Sequence, residues 1–317
     1  MNRPERPAGD VEAAAFLALA SELRPQLHRY CARLTGSVID GEDVVQDALA
    51  KALGALDTLE PGAPMRAWLF RIAHNRALDL LRSRAIRAVE PLEAAEQTAD
   101  ADAPDPLEVM MRQDAVHTAV ARFVELPAVQ RSVVILKDVL DHSLDEIAAL
   151  LDLTVNAVKA HLARGRTRLK QVNAEAAAMI ASQAGQAAAR PASAASARYA
   201  ALFNQRDWDG LRALLADDVK LSQATYPPRA GAADVGRFFT IYAGFDSVRL
   251  APAWLEGREV IAVFRTASAA PDYFMWLEWR DGRIAFIHDY RYVRYILDGA
   301  DLTLAQAPTA SGRARLS

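Results

Sequence analysis

Residues 126–171 read LPAVQRSVVILKDVLDHSLDEIAALLDLTVNAVKAHLARGRTRLKQ, and their local signals spell a helix-turn-helix. Pro127 suits the first turn of a helix over 128–139, where its missing N–H has no partner to lose. Ser143 and Glu146 have the S-x-x-E spacing of a capping box, so a helix starts at 144. Ile147, Ala148 and Leu151 form its apolar face. Asp152-Leu153 makes a short turn, and Thr154 is a good N-cap for a second helix from 155. Val155, Val158 and Leu162 point inward on that helix. Asn156, Lys159, Ala160 and Arg164 therefore lie outward.

This arrangement suits DNA. The second helix of such a pair enters the major groove with its N-terminal residues at base edges. Asn156 has the donor and acceptor that pair with adenine, and Lys159 suits guanine or phosphate. Arg164, Arg166 and Arg168 suit the phosphate backbone and make binding salt-sensitive. The helix start at Thr154 is itself an anion site. An ordinary surface helix shows a basic face too, but not the cap box, turn, second cap and basic face in register.

Net charge over the 317 residues is −3, which hides a strong asymmetry. Residues 66–87 hold six arginines and one acid, and residues 153–170 hold five bases and no acid. Between them, residues 90–108 hold seven acids and no base. Such clustering points to nucleic acid where the total does not. The single cysteine, Cys31, excludes a disulfide framework within the chain and suits a reducing compartment. It reads as a small buried hydrophobe. The opening MNRPERPAGD has no apolar signal core, and no run approaches the ~18 apolar residues of a membrane span. The histidines lack partner cysteines, so no metal and no cofactor is expected. The expected location is the cytoplasm.

Upstream, residues 11–87 read as helices. Val45, Leu49, Leu53 and Leu56 recur at helical spacing beside Ala48 and Ala52. Pro61, Gly62 and Pro64 separate this helix from one carrying Met65, Trp68, Leu69, Ile72, Ala73, Leu80 and Leu81. Asp43, Gln46 and Asp47 share a polar face suited to a basic groove on a partner. Arg66, Arg71, His74, Asn75, Asp79 and Arg82 point away from the second apolar stripe, a mixture that suits unstacked bases. Two solvated amphipathic helices explain the same pattern equally well. Trp68 suits either stacking or the core.

Residues 88–111 form an acidic linker with Pro91, Pro104 and Pro106, too poor in apolar surface to offset the entropy of ordering. The low-complexity stretch SQAGQAAARPASAASA begins at 182, and a second linker is placed at 176–193. Beyond it, one or two helices over about 194–216 precede strands at 248–256, 259–267, 272–280 and 283–292. Glu256-Gly257-Arg258 and Asp281-Gly282 are hairpin signals. The fold class is thus multidomain: two all-α domains, the second with the helix-turn-helix, and a C-terminal α+β domain.

The motifs DVVQDALAKAL and MRAWLFRIAHNRALDLLRSR resemble the second conserved region of the sigma-70 family, and the helix-turn-helix resembles its fourth. Their close spacing resembles the extracytoplasmic-function (ECF) group. The resemblance implies an alternative sigma factor that binds RNA polymerase core, through its largest and second-largest subunits, and directs initiation at promoter DNA. By it, residues 1–87 form the polymerase-docking and minus-ten domain. There Asp43, Gln46 and Asp47 match the surface that docks on the clamp helices, and the loop at 60–66 with Arg66, Trp68, Arg71, His74, Asn75, Asp79 and Arg82 matches the reader of the melted strand. Residues 112–175 match the minus-thirty-five domain, read by Thr154, Asn156, Lys159, Arg164, Arg166 and Arg168.

SARYAALFNQRDWDGLRALLADDVKL and the strands after it resemble SnoaL-like domains, curved-sheet cones with a pocket. Here that implies a regulatory domain over 194–317, with a disordered tail from about 305. Related sigma subgroups carry DGGGK after the first strand, whereas this chain reads SQATYPPRAGAAD, so that motif's role does not carry over. Tyr273, Trp276, His288 and Tyr290 are the expected lining of a small-molecule pocket. His288 and Asp289 point to opposite faces of a strand and form no dyad. Two other readings compete. A ligand-sensing regulator that binds DNA without polymerase docking leaves the Asp43-Gln46-Asp47 face unused. An enzyme needs a buried acid–base pair, which the sequence does not display.

Overall fold

The computed structural model describes residues 8–59, 64–89, 120–183 and 190–306, without 224–225, 245–246, 266–267, 269, 298–299 and 301. The acidic linker from residue 90 on, most of the 60–66 loop and the tail beyond 306 lie outside the described residues, while 88–89, assigned to that linker, are helical. The chain divides into two units, Met1–Ser182 and Gln183–Ser317.

The first unit is helical. Helices α1 (Ala8–Thr35), α2 (Val38–Gly54) and α3 (Met65–Val89) come first. Leu23, Leu27, Tyr30, Cys31 and Leu34 of α1 recur every three or four residues and are buried, as are Val44, Val45, Ala48 and Ala52 of α2 and Leu69, Phe70, Ala73 and Ala77 of α3. Gly41 lets α1 and α2 touch: a Cβ there would lie 2.5 Å from the Ala32 nitrogen. Leu53 departs from the expected stripe and stays exposed.

Helix α4 (Ala128–Val134) widens into a π turn over Ile135–Val139, so the expected helix at 128–139 forms with a wider last turn. Helices α5 (Leu144–Leu151) and α6 (Val155–Gln183) follow. Val133, Ile135, Leu136, Ile147 and Val158 join the same core cluster as α1 to α3. The two helical regions, expected as separate domains, therefore share one core. Arg131 ties them together: it donates to the carbonyls of Leu34 (2.5 Å), Val124 (2.6 Å) and Leu126 (2.9 Å). Helix α6 also continues through 176–183, which were assigned to a linker.

The second unit holds α7 (Ala194–Asn204), α8 (Trp208–Arg212), α9 (Ala232–Ala243) and one seven-stranded sheet. The strands are β1 (Leu215–Gln223), β2 (Tyr226–Ala230), β3 (Val248–Leu255), β4 (Arg258–Arg265), β5 (Tyr273–Arg280), β6 (Arg283–Asp289) and β7 (Leu302–Leu304), in the order β2-β1-β6-β5-β4-β3-β7. All neighbours are antiparallel except β1 and β6, which run parallel. The sheet is thus mixed, antiparallel but for one parallel pair. Both hairpin signals hold: Glu256 and Gly257 take φ of 51° and 80°, Asp281 and Gly282 of 52° and 74°, the paired positive values of a tight two-residue turn.

Strands β1 and β2 escaped the sequence reading. Asp217, Asp218 and Lys220 break the apolar pattern of β1, and Pro227 and Pro228 are tolerated in β2 only because it is an edge strand. The inner face of the sheet packs on α7 and α9 through Val219, Leu221, Val263, Met275, Leu277 and Ile287 against Phe203, Phe238, Phe239 and Tyr242. At the other edge Pro191 bridges Gln306, and Ala305 donates to the Pro252 carbonyl at 3.0 Å. Residues 190–192 and 305–306 are therefore tied to the sheet rather than being free linker and tail.

Candidate nucleic-acid interface and cone interior

The candidate recognition helix is built as its local signals require. The Ser143 hydroxyl accepts from the Glu146 N–H at 3.2 Å, and the Glu146 carboxylate accepts from the Ser143 N–H at 2.7 Å, closing the capping box. These bonds hold the Glu146 carboxyl below its usual range. Asp152 adopts φ 54°, the left-handed turn between the helices. The Thr154 hydroxyl accepts from the Ala157 N–H at 3.2 Å. Val158 and Leu162 are buried, and Gly165 lies so close to α4 that a Cβ would meet Val134 at 2.6 Å.

Asn156, Lys159, Ala160 and Arg164 are exposed on the opposite face. Among the described residues, Asn156 and Lys159 hold no side-chain hydrogen bond or ion pair. The other cations are engaged: Arg164 meets the His161 ring at 3.4 Å, Arg166 forms a two-bond pair with Asp138 (2.9 and 2.5 Å), and Arg168 lies 4.0 Å from Glu125. All are surface pairs, weak enough to exchange for phosphate.

In α2, Asp43 and Asp47 are exposed and Gln46 is half-buried, all on one face. Asp47 pairs with Arg76. Two better-shielded pairs, Arg24–Glu42 and Arg84–Asp40, brace α2 against α1 and α3. In α3 the six polar residues do not behave alike. Arg66 donates to Gln26 at 2.6 Å, Asn75 is exposed, and Asp79 pairs with Arg82 at 2.9 Å. Trp68 packs half-buried against the core. His74 turns inward, contrary to the expectation that it faces out. Its Nδ1 bonds the Tyr30 hydroxyl at 2.7 Å, and burial pushes its pKa down to about 4, so it is neutral at pH 7. Arg71 donates to the Ala149 carbonyl of α5 at 3.0 Å, and Phe70 meets the His142 ring edge-on at 5.3 Å. The candidate minus-ten face thus touches the helix-turn-helix within this unit.

The expected pocket residues in the cone do not share a face. Tyr273 lies inside, in the core cluster with α7 and α9. Trp276 and His288, partners across β5 and β6, lie on the outer face in a stack with Phe286 and with Arg258 over Trp276. His288 Nε2 bonds Glu278 at 2.7 Å. Tyr290 packs on Phe274, also opposite Tyr273. Strict alternation along each strand makes this separation unavoidable.

The sequence reading missed a buried carboxylate. Asp289, 2% exposed, points inward, and desolvation pushes its pKa up to about 6. The available signal was its spacing two residues after Ile287, on the inner face of β6.

Family models match three stretches: sigma-70 region 2 over residues 19–86, sigma-70 region 4 over 120–169, and a SnoaL-like domain over 196–287. The chain is 33% identical to the ECF RNA polymerase sigma factor SigM of Mycobacterium tuberculosis, covering 50% of this chain and 76% of that one. The chain belongs to the ECF RNA polymerase sigma factors. The RNA polymerase sigma factor CnrH of Cupriavidus metallidurans is 35% identical, over 41% of this chain and 71% of its own. Among solved structures, the ECF sigma factor SigJ of M. tuberculosis is similar at 21% identity and a TM-score of 0.33, over 89% of this chain and 98% of its own. This ECF chain is accordingly an alternative sigma factor that directs transcription, and a regulator acting apart from polymerase is not the favoured reading. Among the described residues, no helix is long and apolar enough to cross a membrane.

Proposed function

We propose that the chain binds RNA polymerase core through the α2 face of Asp43, Gln46 and Asp47, docking on the largest subunit, with further contact to the second-largest. Thr154, Asn156, Lys159 and Arg164 then read the minus-thirty-five element, with Arg166 and Arg168 on the phosphates. Residues of α3, chiefly Arg66, Trp68, Arg71, Asn75, Asp79 and Arg82, meet the melted minus-ten strand. The observation that carries this reading is the exposed, unpaired Asn156–Lys159 face on a helix fixed by two caps and a left-handed turn. The functional modules are 1–87 and 112–175, which share one helical core, and 194–317, and the protein works beside polymerase in the cytoplasm, without catalysis of its own. The C-terminal cone regulates initiation in cis and takes a small molecule.

Run-off transcription with core polymerase tests the assignment. The double variant Lys159→Ala/Arg164→Ala loses promoter-specific product, each base-specific contact being worth about 1–3 kcal/mol. Unchanged initiation removes the recognition role from α6. Truncation after residue 189 changes promoter output while DNA binding persists; identical output at every promoter removes cis-regulation.

A further inference from the structure

Helix α6 carries two kinds of cation. In its first half Lys159 has no ion pair among the described residues, and Arg164 meets the His161 ring rather than a carboxylate. Past Gly165 the arginines face acids. Arg166 and Asp138 form a fork, Nε to Oδ2 at 2.9 Å and Nη2 to Oδ1 at 2.5 Å, and Arg168 lies 4.0 Å from Glu125. Residues 153–170 contain no acid, so both carboxylates come from earlier segments. Glu125 ends the turn Ala121–Glu125, and Asp138 lies in the π turn Ile135–Val139. In a regular helix residue 138 falls on the row of Val134 and Ile135, both buried in the core. The wider turn carries Asp138 off that row, and its side chain stays 32% exposed, facing α6.

A free arginine on its long stem loses rotamer freedom when it grips a phosphate. Asp138 has already fixed this one. The fork uses Nε and Nη2, the side edge of the guanidinium. Nη1, whose hydrogens point off the end, holds no partner among the described residues. The Arg166 side chain is 55% exposed, so a phosphate can take that end. The carboxylate cancels the diffuse charge of Arg166 and leaves its directed donors. The distinction matters for DNA. A diffuse charge attracts duplex in any register, whereas a directed donor is satisfied only where a phosphate lies in line with it.

We propose that Asp138 is a positioning residue for the contact between α6 and DNA. It holds Arg166 at a fixed angle, so the free end of the guanidinium meets a backbone phosphate only when the helix sits in its reading register. Asp138 thereby weakens the hold of α6 on DNA of arbitrary sequence and preserves the hold on the promoter. Glu125, farther from Arg168, is the weaker counterpart. This role rests on α6 being the helix that contacts the promoter, and it adds a residue that lies outside that helix.

The test uses the full chain and a fluorescein-labelled duplex of mixed sequence, titrated between about 50 and about 200 mM KCl. Asp138→Asn binds this duplex several-fold more tightly than the unaltered chain at the low salt. About threefold of that gain disappears at the high salt, as one more released counterion requires. In an Arg166→Ala background the same substitution changes nothing, because its effect runs through that guanidinium. With core polymerase, run-off transcription by Asp138→Asn is lost at several-fold less of the same duplex added as competitor. The thermal midpoint hardly moves, since a surface pair adds little stability. Equal duplex binding with and without Asp138, a gain that persists without Arg166, or equal sensitivity to competitor overturns the proposal. So does a fall in midpoint and in both kinds of binding together, which marks a merely structural pair. The reading of α6 itself fails separately, by Lys159→Ala leaving duplex binding and promoter output unchanged.

Discussion

The helical unit and the cone bury ionisable groups in opposite senses. In the helical unit, apart from Arg131 and the shielded pairs Arg24–Glu42 and Arg84–Asp40, the groups withdrawn from water are histidines held neutral. Burial lowers the pKa of His28, His74 and His142, with His74 at about 4. In the cone the buried group is an acid, raised to about 6. Both follow from one rule, that a low-polarity interior disfavours the charged form. The consequences for pH run in opposite directions. A histidine with a lowered pKa gives stability that is present above pH 6.5 and lost as pH falls toward 4. An acid with a raised pKa gives stability that is present below its usual 3.8 and lost as pH rises through 6.

The largest expected effect breaks the shared core of the helical unit. Arg131→Ala leaves the carbonyls of Leu34, Val124 and Leu126 without their donor, at a cost of about 3 kcal/mol or more. Thermal unfolding followed by far-ultraviolet circular dichroism shows the drop, while the cone's transition stays in place. Next comes Asp289→Asn. Moving a carboxyl from 3.8 to about 6 corresponds to about 3 kcal/mol, so this variant gains up to that amount at pH 8 and nothing at pH 4. Tryptophan fluorescence reads it, since four of the five tryptophans lie in the cone. If the gain is the same at both pH values, the carboxylate is not the cause.

His74→Phe sharpens the other half of the contrast. It flattens the loss of helical-unit stability between pH 6.5 and 4, seen in denaturant midpoints across that range, at the expense of the Tyr30 bond. The smallest effect is at the cap: Ser143→Ala costs about 1 kcal/mol and leaves the cone untouched.

Much of this architecture was legible in the chain. The capping box, the Thr154 cap and both hairpin turns are local chemistry, decided within four or five residues. They appear in the structure where the spacing put them. The exposed set Asn156, Lys159 and Arg164 followed from helical periodicity alone. What failed to show needed contact between distant segments. His74 looked outward-facing until the hydroxyl of Tyr30, 44 residues away, bonded its Nδ1. Strand β1 was obscured by its acids, because its pairing with β6 is parallel and spans more than sixty residues.

By itself the sequence determined the order of modules, the helix-turn-helix and the family, since these rest on residue types at short, fixed spacing. Only the tertiary structure decided that the two helical regions share one core, that Trp276 and His288 lie outside the cone, and that Asp289 lies inside, bonded to Gln223. Those outcomes depend on which faces are turned from water together, and packing selects them across the whole unit.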